Sequence, residues 1–440
     1  MRTLVGMMAL GLCAACDSAG GHGTADATTA PDDTSAGDDA TTASDADATG
    51  DVGPDVGPSA ATHVVTLVAG QAMQILLGGS QKLGFDVPPD TLSVTITVLG
   101  EGAPNFALNS WTGPNDNELV YAGWLGTDSG GTLCLECTNR ITVEPGAFAA
   151  IAPNNPAAVL EAGHHEITLA AFTPAVVVSN ATPGCGDHVC AFFDQFNCAN
   201  DCAPKNYSGP VEVTVLAKVA DAPGAGVPAT GVLDLNLHFT GAQGLTAATA
   251  QTDAGFQAEL DSMRTIYAQV GVTIGQVTYR DIDSAFRDIE SIDGPDSDLQ
   301  ALYEQSAGNT VDGIDLYFVD TISSASLGGF GVILGIAGGI PGPPLMHGTH
   351  RSGVAIAIKP VAGAPAGVDT TMAHETGHFL GLFHTSEQAL GAQQVHDPLP
   401  DTPENDESYL MFNTGSGHTL SPYQGQVMRS NPWVTNPVEE

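Results

Sequence analysis

The run His374-Glu375-Thr376-Gly377-His378-Phe379-Leu380-Gly381-Leu382-Phe383-His384 reads H-E-x-x-H-x-x-G-x-x-H. On a helix the first two histidines, four residues apart, share one face and can grip one metal ion. Glu375 falls on the adjacent azimuth, placed to take a proton from a water at that metal. Gly381 is free to adopt a left-handed conformation, so it ends the helix and swings the chain back. His384 then supplies a third nitrogen. Three protein ligands leave one position of a tetrahedral zinc open, which marks a catalytic rather than a structural site. Met372, Phe379, Leu380, Leu382 and Phe383 give the helix an apolar body, and Asp369 or Thr370 is placed to cap its start.

The sequence before this run has mixed texture. Residues 231–240 alternate as a first strand, and 253–270 carry a helical stripe through Phe256, Leu260, Met263 and Ile266 or Tyr267. Residues 272–277, 314–319 and 353–359 read as further strands. The Gly- and Pro-rich stretch 327–348 is too long for a tight connection and is expected to shape the rim of a cleft. His347, His350, His396 and His418 are read as surface or cleft-wall residues.

The motif resembles that of the metzincin clan of zinc endopeptidases. Such enzymes carry a methionine turn beneath the metal, and Met411 in the run Glu407-Ser408-Tyr409-Leu410-Met411-Phe412-Asn413 matches it. Within the clan the chain looks most like a divergent pappalysin. Thr385 directly follows the third histidine, Asp401-Thr402-Pro403 precedes the turn, and the segment 420–429 closes the pattern, with Ser421 as N-cap and Pro422 as first helical residue. The resemblance implies zinc on His374, His378 and His384, Glu375 as catalytic base, and Met411 packed under the metal. It also implies a calcium ion at Asp397, Asp401 and Thr402, whose side-chain oxygens suit a hard cation. Two departures stand out. Asn413 occupies the position where many metzincins place a tyrosine, and no cysteine follows Cys202. An amide at Asn413 can still donate to a developing oxyanion.

Residues 1–15 read as a signal peptide: Arg2, an apolar stretch, then small residues. Cys16 follows Ala14 and Ala15 and resembles the lipidated cysteine of a bacterial lipobox, although Cys13 stands where leucine is usual; ordinary signal cleavage is the alternative. Both readings export the protein, either to the envelope on a lipid anchor or as a secreted chain. Residues 16–60 are almost entirely Asp, Thr, Ala, Gly, Ser and Pro, without Lys or Arg, the composition of a disordered acidic tether. Residues 61–220 switch to short β-branched runs at 92–99, 141–143, 166–170, 175–179 and 210–219, separated by turn residues, as in a β-sandwich. His164 and His165 are expected at a turn, exposed. Six cysteines lie in this region. Cys134 and Cys137 suit local pairing, and Cys185, Cys190, Cys198 and Cys202 form a cysteine-rich insert at 185–202 with three possible connectivities.

The expected architecture is thus multidomain, an N-terminal all-β sandwich followed over 226–440 by a metzincin-like α/β zinc protease domain. Fifty acidic against 11 basic residues give a net charge of −39, which excludes nucleic acid as a partner and leaves membrane contact to the anchor alone. The expected function is a monomeric zinc-dependent endopeptidase acting on protein or peptide substrates outside the cytoplasm. The competing expectation is a non-catalytic surface adhesion or binding module beside a degenerate protease domain.

Overall fold

The computed structural model describes residues 61–76, 80–100, 105–120, 139–142, 144–172, 208–292, 296–323, 332–358, 368–388 and 394–437, together with the backbone of Cys16–Asp17. Apart from the backbone of Cys16–Asp17, the signal, tether, lipidation and cysteine expectations fall outside the described residues, as does the strand expected at 175–179. The chain is multidomain and mostly β-sheet with few helices.

Two antiparallel sheets build the N-terminal unit. The first takes strands β1 (Thr62–Leu76), β3 (Thr91–Gly100), β6 (Ala147–Ala152) and β8 (Ser208–Ala220) in the order β1-β8-β3-β6. The second orders β2 (Ser80–Val87), β7 (Gly163–Phe172), β4 (Asn105–Thr112) and β5 (Glu118–Val120) as β2-β7-β4-β5, with Glu144–Pro145 against β4. Alternation, shifted once in β4 between Leu108 and Ser110, fills the space between them. Val94, Ile96 and Val98 from β3 and Val211, Val213 and Val215 from β8 meet Phe106, Leu108, Trp111, Ile167 and Leu169 in one apolar cluster. His165 corrects its expected exposure. It sits within β7, fully buried, stacked on Phe85 and accepting from Trp111 Nε1 at 3.1 Å. Ile141 and Thr142 are buried but lie outside any strand.

The C-terminal unit centres on a six-stranded mixed sheet. Strands β9 (Gly231–Phe239), β10 (Val272–Asp281), β11 (Ile314–Val319) and β13 (Val354–Ala357) are parallel, in the order β10-β9-β11-β13. The antiparallel strand β12 (Gly335–Ala337) closes one edge against β13, and β14 (Val434–Thr435) pairs with β9. Helix α1 (Ala254–Ala268) is capped by Asp253, which accepts from Phe256 N, and it buries Phe256, Leu260, Met263, Ile266 and Tyr267. These residues share a core with the sheet and with helix α2 (Val368–Phe379), which carries Met372, Ala373 and Phe379 into it. Thr370 does not cap that helix: it lies inside, and its hydroxyl donates to Gly415 O. Helix α3 (Pro422–Ser430) opens with the expected Ser421 cap and Pro422, completed as a capping box by Gln424.

The two units share an extensive buried boundary. Ser93, Thr95 and Thr97 alternate with the core residues of β3 yet are at most 1 % exposed. Ser93 Oγ donates to Ser430 O, and the ends of the chain's described part meet where Thr62 N donates to Asn436 Oδ1 at 2.8 Å. Lys218 reaches from β8 into the end of α3 and donates to the carbonyls of Arg429, Asn431 and Val434. These donations satisfy carbonyls that the helix end leaves unpaired, while burial and then the neighbouring Arg429 bring the Lys218 amine down to about 7.

Candidate metal centre

Helix α2 ends as its sequence requires. Gly381 N donates to His378 O at 2.8 Å and Leu382 N to Gly377 O at 3.0 Å, a paired stop that needs the glycine at φ 110°. Beyond it the chain doubles back and brings His384 against the helix. The three Nε2 atoms converge: His374 and His378 are 3.1 Å apart, His378 and His384 3.1 Å, His374 and His384 3.3 Å. All three residues are buried.

The opposite ring nitrogens fix the tautomers. His374 Nδ1 donates to Leu410 O at 2.6 Å, His378 Nδ1 to Leu382 O at 2.7 Å, and His384 Nδ1 to Glu387 Oε2 at 2.9 Å. His374 and His378, kept neutral by burial, each turn an Nε2 lone pair toward the Nε2 of His384. A cation resolves that arrangement. Bonds of about 2.0–2.1 Å, the length zinc makes to imidazole, span a nitrogen triangle of this size with roughly tetrahedral angles, so the donor set fits zinc.

Burial, followed by the neighbouring histidine, drives His374 down to about 3, and burial likewise holds His378 well below its ordinary value. Both rings stay neutral and ready to ligate. Glu375 is buried beside strand β12, where it accepts from the Ala337 backbone amide while Oε2 has no partner. Burial pushes its carboxyl up to about 8. Glu387 behaves oppositely. Burial works against its charge, yet the hydrogen bond from His384 and the Arg140 guanidinium hold it at about 2.

The raised Glu375 has a consequence for the metal-free protein. Its folded value lies above the ordinary 4.5, so its contribution to stability is full below about 4.5 and is lost as pH rises through about 8. Glu375→Gln removes that dependence. In excess chelator, the variant's melting temperature should gain on the wild type between pH 5 and 8.5, by an amount equivalent to a few kcal/mol. A difference that stays constant over this range contradicts the buried, unpartnered carboxylate.

Met411 lies fully buried beneath the helix, where its Sδ would sit 2.8 Å from a Cβ at Gly377, and its carbonyl accepts from Thr385 N at 2.8 Å. The turn also closes over His374 at Gly415. Asn413 is half-exposed within that turn. Asp397, Asp401 and Thr402 divide their bonds. Thr402 Oγ1 donates to Asp397 Oδ1, which also accepts from Leu399 N, whereas Asp401 accepts from Ser421 Oγ at 2.8 Å and Tyr423 N at 2.9 Å and so braces the start of α3. Asp397 Oδ2 has no partner, and burial raises that carboxyl to about 7. Of the unassigned histidines, His347 is paired with the buried Asp315, which also accepts from His238 at 2.8 Å, and His350 pairs with Glu304. Neither belongs to the triad.

No family model matches the chain, and no curated protein does. Among solved structures, metalloproteinase-II from Bacteroides fragilis is similar over 55 % of this chain and 68 % of its own, at 12 % identity and a TM-score of 0.27. A chaperone–substrate complex is similar over 49 % of this chain and 38 % of the other, at 11 % identity and a TM-score of 0.27. The Gx strain of infectious bursal disease virus covers 39 % and 34 %, at 7 % and 0.20. Likeness at this level carries no argument about fold or activity, and the reading of the site rests on its own geometry.

Two residues of the site gave no signal in the sequence. Glu387 is an ordinary acidic residue three positions past His384. Arg140, which donates to it, is 247 positions away.

Proposed function

We propose that this chain is a zinc-dependent endopeptidase of metzincin type, closest in character to the pappalysins, whose C-terminal unit is an α/β protease domain. The observation that carries the proposal is the convergence of three buried imidazole nitrogens on one point, beside Glu375 on the helix of two of them, whose buried Oε2 has no partner. When bound there, zinc supplies a Lewis acid that acidifies an attacking water and polarises a peptide carbonyl. Glu375 accepts the water's proton through its free oxygen and returns it to the departing amine. The backbone carbonyls of Leu410 and Leu382 keep two ligand rings in the metal-binding tautomer. Strand β12 contributes the amide that orients Glu375, and as an antiparallel sheet edge it offers an extended peptide a place to pair.

The test is peptide cleavage that phenanthroline abolishes and added zinc restores. Metal-independent binding to cell-surface polysaccharide without cleavage of any peptide supports the adhesion-module alternative instead. A calcium ion at Asp397, Asp401 and Thr402 is a separate proposal. The unpartnered Asp397 Oδ2 supports it, and the two bonds that already engage Asp401 oppose it. With zinc kept saturating, a calcium site predicts a higher melting temperature in millimolar calcium than in excess EGTA; equal values remove it.

A further inference from the structure

The N-terminal sandwich reaches the metal centre. Arg140 Nη2 donates to Glu387 Oε1, while the other oxygen of the same carboxylate accepts from His384 Nδ1 at 2.9 Å. The guanidinium also lies over the ring of Phe383, 4.4 Å from its centre, directly before the third histidine. One carboxylate thus bridges a ligand of the C-terminal unit to a cation of the N-terminal unit.

His374 and His378 are oriented by backbone carbonyls, which their own fold holds still. His384 differs. Its partner is a side chain that is 29 % exposed and has several rotamers open to it. Something must select one of them, and Arg140 is built to do so. Its backbone is clamped on both sides: Arg140 N donates to Asn154 Oδ1 at 3.0 Å and Asn154 Nδ2 returns to Arg140 O at 2.7 Å. Asn154 N in turn donates to Asn139 Oδ1, and Asn139 Nδ2 to Leu119 O in strand β5. The pair is mostly covered, with side-chain exposures of 25 % and 29 %. Its direct continuity with a ligand ring gives it a use there, because partners of ligating histidines set ring orientation and metal affinity.

We propose that the sandwich is a working part of the metal centre, with Arg140 as a positioning residue that holds Glu387 so that Glu387 can fix the ring of His384. The inference rests on the metal reading above. It makes the N-terminal unit a requirement for tight metal binding rather than an appended module.

The test uses the full chain, stripped of metal and titrated with zinc against a chromophoric chelator. Arg140→Ala should weaken zinc binding by about 10–100-fold in a metal-free chain that circular dichroism shows to be folded. Arg140→Lys should recover part of the loss, since the charge returns but the planar fork does not. Glu387→Gln should weaken zinc at least as much, and Arg140→Ala added to it should cost less than about threefold more, because the route is already cut. Wild-type chain that binds zinc while Arg140→Ala stays within about threefold of it overturns the positioning role alone. Wild-type chain that takes up no zinc overturns the metal reading as well. If Arg140→Ala does not fold, the near-isosteric Glu387→Gln decides: affinity within about threefold of wild type overturns the proposal.

Discussion

Glu375→Gln is expected to lower peptide hydrolysis by about 10²–10⁴-fold, the contribution of a positioned general base, while the chain still takes up one equivalent of zinc. The amide keeps the volume and the bond from Ala337 but cannot accept a proton. The ligand triangle is untouched, because none of its three nitrogens bonds to Glu375. Loss of activity together with loss of zinc would place the residue in the ligand set instead. Activity within about threefold of wild type would leave proton transfer to some other group, against the geometry of the buried, unpartnered Oε2.

His378→Ala should have the largest effect on the metal itself. Its Nε2 is 3.1 Å from both other ligand atoms, so it occupies a full third of the donor set. Each imidazole supplies on the order of a third of a binding free energy of about 10–16 kcal/mol, and the loss corresponds to roughly 10³-fold in zinc affinity. The substitution also empties a fully buried site at the end of α2, so circular dichroism of the metal-free variant should accompany the titration. Unchanged zinc affinity in a folded variant would remove the triad from the account.

The helix, its glycine stop and the convergence of the three histidines were legible in the sequence because all of that geometry is local. Eleven consecutive residues set the helical face, the reversal at Gly381 and the return of His384. The stripe of α1 and the strand at Ile314–Val319 were legible for the same reason, being regular elements with one periodicity. The alternation that revealed the sandwich did not reveal its other face. Ser93, Thr95 and Thr97 have the small polar side chains of a solvated surface, yet all three are buried, Ser93 against Ser430 of the C-terminal unit. His165 was hidden likewise: a pair of histidines just after Gly163 resembles a turn, until Trp111 and Phe85 arrive from other strands. Thr370 misled in the opposite direction, since a hydroxyl near a helix start suggests a cap while its partner, Gly415, lies far along the chain. The strand Ala147–Ala152 is mostly alanine, a composition with no strand preference, and only pairing with Thr91–Gly100 makes it one. Arg140 and Glu387 belong to this group too, because no local pattern marks two residues that meet across a boundary between units.

The central claim is that the three histidines hold one catalytic zinc. It is tested most directly by titrating zinc into the metal-free full chain while mass spectrometry follows cleavage of a proteome-derived peptide library. The account predicts no cleavage without metal, a rise that saturates at one zinc per chain, and new termini produced within peptides rather than at their ends. Chain that binds one equivalent of zinc with Glu375 intact and cleaves nothing in the library would contradict it.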